Sequence, residues 1–154
     1  MSRSTGGGRV GVIGCGNISK AYAEKLTALP DLELIACADL DPARAQEFAT
    51  SHGVPLVLTP ETLAEHPDVD VVLNLTVPVA HAAVTRAGLE AGKHVYSEKP
   101  LAIDYADGRA LVEFARSRSL RLGCAPDTFL GAGLQTCRQL LDSGAIGTPL
   151  AANA

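Results

Sequence analysis

The sequence lacks a basic cluster, a long apolar run and any paired-cysteine motif. Each absence removes a class of function. Lys and Arg number 13 against 17 Asp and Glu, for a net charge of −4. A mildly acidic chain offers no electrostatic footprint to phosphate backbones, so no nucleic acid partner is expected. No uninterrupted apolar stretch approaches the roughly 20 residues of a membrane span, so no membrane is expected. The opening residues carry a positive charge but no apolar segment, which does not read as a secretory signal. Residues 1–8 are expected to form a disordered tail. Cys15, Cys37, Cys124 and Cys137 show no C-x-x-C spacing and no histidines at zinc-ligand distance. Buried free thiols in a reducing cytoplasm, with no metal, are the simplest reading. Internal repeats and low-complexity linkers are missing as well.

What is present is globular. The chain has 154 residues, 47% of them hydrophobic and 19% charged, which suits one domain and not two. Short apolar strands alternate with helical patterns. Arg9 to Ile13 reads as a first strand, and Ile18 to Leu29 as a helix closed by Pro30. Leu32 to Ala38 is a second strand. Asp41 and Pro42 then read as an N-cap and first helical residue, with the helix running to Ser51 before Gly53. Val54 to Leu58, Val69 to Leu75, His94 to Ser97 and Leu120 to Cys124 read as further strands. Helices are expected from Pro60, from Pro78 to near Gly92, from Asp104 to Ser117 and from Gly133 to Leu141. The strands have no polar face, as when helices cover both sides. This pattern predicts a doubly wound parallel α/β sheet of the Rossmann type, three layers and about six strands.

The first strand ends in Gly14-Cys15-Gly16-Asn17-Ile18-Ser19. Gly14 suits a tight strand-to-helix turn, and Gly16 leaves room for a pyrophosphate near the backbone. Ser19 stands where a third glycine is usual and is still small. The N–H groups opening the next helix would face the phosphates. Asp39 lies at the end of the second strand, 23 residues past Gly16. A carboxylate there accepts from ribose hydroxyls and repels a 2′-phosphate. NAD is therefore expected as cofactor, with NADP left open because Arg44 is near enough to meet that phosphate.

A second informative stretch runs from Gly92 to Leu101 and ends a short strand in Glu98-Lys99-Pro100. With Gly14-Cys15-Gly16-Asn17-Ile18-Ser19 and Asn74-Leu75-Thr76-Val77-Pro78, it resembles the Gfo/Idh/MocA family of NAD(P)-dependent oxidoreductases. Asp142-Ser143-Gly144-Ala145-Ile146-Gly147 is similar to that family's exit from its nucleotide domain. The resemblance covers the chain from about Arg9 to Pro149.

That resemblance implies catalytic roles for Lys99 and Glu98. Lys99 would stabilise negative charge on the reacting oxygen, and Glu98 would orient Lys99 or bond near the nicotinamide. Pro100 is expected to fix the chain, with a cis bond open to it. Gly14, Gly16, Asn17, Ile18, Asp39, Asn74, Thr76, Pro78, His81 and Glu98 would bind cofactor. The implied substrate is a sugar, cyclitol or related polyol. The family holds it with a second, mostly antiparallel domain, of which this chain is expected to carry only the start. Residues 9–146 are then the dinucleotide domain, and 147–154 the start of the missing one. A piece of a full dehydrogenase is the favoured reading. A non-catalytic NAD(H)-binding sensor, or an enzyme whose substrate half comes from another polypeptide, stay open. Apolar surface near Leu130, Leu134 and Leu140 would be left uncovered, so a homodimer is expected.

Overall fold

The structure, a computed structural model, describes residues 8–151. The expectation for residues 1–7 and for the last three residues lies outside them. Six strands form one parallel sheet: β1 (Gly8–Ile13), β2 (Leu32–Ala38), β3 (Leu56–Leu58), β4 (Val71–Asn74), β5 (His94–Ser97) and β6 (Leu122–Cys124). Their order across the sheet is β3-β2-β1-β4-β5-β6. The helices are α1 (Asn17–Leu26), α2 (Pro42–His52), α3 (Pro60–Glu65), α4 (Pro78–Glu90), α5 (Tyr105–Ser117) and α6 (Ala132–Asp142). A 3-10 turn, Thr128–Leu130, precedes α6.

Side chains alternate between two buried faces because strand residues point to opposite sides. Val10, Val12, Cys37 and Leu73 pack with Ala23 and Leu26 of α1 and Phe48 of α2. Ile13, Ala36, Ala38 and Val72 pack with Leu63 of α3, Leu89 of α4 and Leu111 of α5. Two buried faces explain why no strand shows a polar alternation.

Element ends follow hydrogen bonding rather than apolarity, and this moves several sequence boundaries. Gly8 already pairs with Leu32, so β1 begins inside the stretch expected to be a tail. Helix α1 stops at Leu26 rather than Leu29, and the Ala28 and Leu29 N–H groups bond back in turns. Val54 is buried, yet its N–H closes α2 on the Ala49 carbonyl after Gly53 turns left-handed at φ +67°. Strand β3 is therefore only three residues. Leu120 likewise closes α5 on Ala115 after Ser119 at φ 57°, which shortens β6. Asp41 caps α2 as expected, its Oδ1 accepting from Ala43 N–H at 3.0 Å, and Asp104 stands just before α5 as its cap, its Oδ1 accepting from Ala106 N–H at 2.7 Å.

The chain winds outward from β1 through β2 to β3, then crosses back to β4 and winds the other way. Between β1 and β4 the two directions part, leaving a crevice beyond their carboxyl ends. Open α/β sheets hold ligands at such a switch point.

Candidate functional site

Gly14 opens the turn out of β1 at φ +100°. A Cβ there would lie 2.6 Å from the Leu75 carbonyl, so β1 and the turn after β4 approach only because the residue is glycine. Gly16 differs. Its φ is −78°, which any residue adopts, and a Cβ would meet nothing within 4 Å. The space it leaves open lies before the first turn of α1, where no side chain caps the helix. Exposed Asn17 and half-exposed Ile18 open that turn. A cradle of free helix N–H groups without a Cβ in front fits a pyrophosphate. Ser19 is wholly buried and its hydroxyl donates to the Gly16 carbonyl at 2.6 Å, closing the turn from below.

Asp39 ties this turn to the next crossover. Its Oδ2 accepts from Cys15 N–H at 2.8 Å. Its Oδ1 accepts from Asp41 N–H at 2.9 Å and from Arg44 Nη1 at 3.2 Å. A carboxylate accepts about four hydrogen bonds, so roughly one place is free for a ribose hydroxyl and a second opens if Arg44 swings away. Arg44 is half exposed and also pairs with Asp41 at 3.6 Å. With Lys20 it borders a cavity of about 250 Å³ beside Gly16 and Asn17.

Of the four free cysteines, Cys15 and Cys37 are buried, but Cys137 is exposed, against the expectation of a buried thiol. The Cys15 thiol donates to the Ala38 carbonyl at 3.5 Å, and the neighbouring Cys37 thiol together with burial pushes loss of its proton upward.

A larger cleft of about 400 Å³ lies on the other side of the turn. It brings Ile18 together with Thr76, Pro78, Glu98 and Lys99. Lys99 is exposed, and the Lys99–Pro100 bond is cis. Glu98 is fixed at three points. Its N–H donates to the Asn74 carbonyl at 2.9 Å, its Oε2 accepts from Lys99 N–H at 2.9 Å, and its Oε1 accepts from the Tyr22 hydroxyl at 2.7 Å.

Two expected cofactor ligands, Asn74 and His81, have side chains bonded within the protein. Asn74 is fully buried and turned toward α4. Its Nδ2 donates to the His81 carbonyl at 3.0 Å and Thr85 Oγ1 at 3.1 Å, while its Oδ1 accepts from Thr76 N–H at 3.3 Å and Thr76 Oγ1 at 2.7 Å. All four of its hydrogen-bonding places are used within the protein, so its side chain shapes the turn. His81 sits in the cleft wall but is only 1% exposed, with Nε2 2.9 Å from the Thr76 carbonyl and Nδ1 against the Pro100 carbonyl. Helix α4 draws the Asn74 amide inward through His81 and Thr85, and its own His81 is held between the Thr76 and Pro100 carbonyls.

Sequence reasoning missed Tyr22 and Asp127. Tyr22 lies one helical turn past Ile18 on α1, a spacing that places both on one face. Burial and the Glu98 carboxylate push loss of its phenolic proton upward, so it remains a donor. Asp127 follows β6 at the carboxyl edge and lines the same cleft as Lys99.

The family described as "Oxidoreductase family, NAD-binding Rossmann fold" matches residues 8–125. A dTDP-3,4-didehydro-2,6-dideoxy-alpha-D-glucose 3-reductase of Saccharopolyspora spinosa is 39% identical over 90% of this chain and 42% of its own length. Inositol 2-dehydrogenase 3 of Saccharopolyspora erythraea is 36% identical over 94% of this chain and 44% of its own. The crystal structure of a 3-ketoreductase from Actinomadura kijaniata, in complex with TDP-benzene and NADP, superposes with a TM-score of 0.83 and 36% identity, covering 92% of this chain and 44% of that one. The chain thus spans less than half the length of the relatives it matches.

Proposed function

The chain belongs to the Gfo/Idh/MocA oxidoreductase family and carries its NAD(P)-binding Rossmann domain; from that premise we propose that the whole protein transfers hydride between NAD(P) and a hydroxyl or carbonyl carbon of a sugar, cyclitol or related polyol. The substrate class is supported by relatives named for an inositol and a deoxysugar. One observation carries the reading. The cleft that holds Lys99 is continuous with the helix opening at Ile18, at the switch point of the sheet.

When bound, the nicotinamide supplies or accepts the hydride. The chain's own residues do the rest. The Gly16 backbone and the N–H groups opening α1 take the pyrophosphate. Asp39 accepts from the ribose. Thr76 and Pro78 border the nicotinamide side. The Lys99 ammonium donates to the reacting oxygen and holds the proton there. Glu98 sets the Lys99 backbone. Asp39 favours NAD, while Arg44 and Lys20 keep a cationic place where NADP would carry its extra phosphate.

Calorimetry with NADH and NADPH tests the premise. Binding of NADH, tighter than NADPH, is expected; binding of neither sinks the assignment of the glycine turn. Residues 9–146 are proposed as the dinucleotide domain and 147–154 as the start of a second. The exposed leucines of α6 support a homodimer, and the free thiols support a reducing cytoplasm. Among the described residues no helix is long and apolar enough to cross a membrane.

A further inference from the structure

Lys99 is exposed at the end of a strand, on a long flexible side chain. Burial does not hold it, so its position depends on how firmly its backbone is held. Two contacts bracket that backbone from opposite sides. On one side Tyr22 reaches across from α1 and donates to Glu98 Oε1 at 2.7 Å, while Glu98 Oε2 takes the Lys99 N–H at 2.9 Å. On the other side His81, from α4, sets one ring nitrogen against the Pro100 carbonyl and the other 2.9 Å from the Thr76 carbonyl.

We propose that Tyr22 and His81 are positioning residues for Lys99, Tyr22 acting through Glu98 and His81 through Pro100. The proposal rests on the reading of Lys99 given above. Neither residue reaches the reacting atoms. Tyr22 is half-buried beneath the cleft, and His81 is enclosed in its wall. Tyr22 stands on the helix whose first turn takes the pyrophosphate. His81 stands on the helix that, with Asn74, fixes the Thr76 turn. The phosphate cradle, the nicotinamide-side turn and Lys99 are thereby joined into one hydrogen-bonded frame. Seating the dinucleotide on α1 then sets where the Lys99 ammonium starts from. Small misplacements at a reacting centre are costly, which is the physical reason for such a frame.

The chain has four lysines, Lys20, Lys25, Lys93 and Lys99, so each is separately observable after reductive methylation with carbon-13 formaldehyde. The Lys99 signal is assigned by its loss in Lys99→Arg. Adding NADH is expected to move that signal in the wild type. In Tyr22→Phe, which removes one hydroxyl, the movement is expected to fall by about half or more while NADH still binds. Glu98→Gln should do the same, and Tyr22→Phe added to it should cause no further loss, because the hydroxyl acts only through Glu98. His81→Phe keeps a ring of similar size and removes both nitrogens, and is expected to reduce the movement independently. A wild-type response in both Tyr22→Phe and His81→Phe overturns the proposal and leaves the reading of Lys99 intact. A Lys99 signal that ignores bound NADH in the wild type removes that reading and the proposal with it.

Discussion

Gly14 and Gly16 are two residues apart and serve opposite needs. Gly14 holds a left-handed backbone against the Leu75 carbonyl. Gly14→Ala combines positive-φ strain with a backbone clash and is expected to cost at least about 2 kcal/mol, read from urea unfolding. Gly16 has ordinary dihedrals and open space in front. Gly16→Ala should unfold within about 1 kcal/mol of the wild type, yet lose NADH affinity by about tenfold or more, since the new methyl enters the phosphate space. Asp39→Ala removes a ribose acceptor and the partner of Cys15 N–H. NADH binding is expected to weaken about tenfold, the value of one charge-assisted hydrogen bond, and NADPH binding less. Equal losses in calorimetry would remove the ribose role. Tyr22 has a pH signature. Its folded state holds the phenolic proton more tightly than the unfolded state, so its contribution to stability is full below about pH 10 and lost as pH rises beyond that. Melting temperature should therefore fall more steeply above about pH 10 in the wild type than in Tyr22→Phe.

The helices owe their placement to caps that short-range chemistry supplies. Asp41 satisfies two N–H groups of α2 and also pairs with Arg44. Asp41→Ala is expected to destabilise by about 1 kcal/mol in denaturant unfolding, most of it from the lost cap. Such starts are readable because cap and helix lie within a few residues of each other. Helix ends and strand lengths are less so. Val54 and Leu120 are apolar and look like strand, but their N–H groups close the preceding helix. Val69 is buried yet bonds back to the His66 carbonyl, outside the β4 ladder. A strand lasts only as long as its neighbour, and the neighbour is distant in sequence.

Across the whole molecule, the sheet and five helices are well packed, but every residue from 126 to 151 is exposed. Helix α6 rests on the 3-10 turn before it and leaves Leu130 at 65%, Leu134 at 49% and Leu140 at 48% exposure. An uncovered apolar face of this kind draws a partner. Light scattering is expected to show self-association that Leu134→Lys with Leu140→Lys abolishes; a monomer at high concentration would reject it. The sequence by itself determined the alternation of strands and helices, the glycine turn, Asp39 and Glu98-Lys99-Pro100. Each depends on backbone freedom, capping or burial period, which act within a few residues or along one element. Only the tertiary structure decided that Asn74 and His81 turn inward, that Asp39 is shared with Arg44, and that Tyr22 reaches Glu98. Those depend on which helix lies over which strand end. Tyr22 and Glu98 are 76 residues apart in the chain and meet only once the sheet has brought α1 within reach of the turn that follows β5.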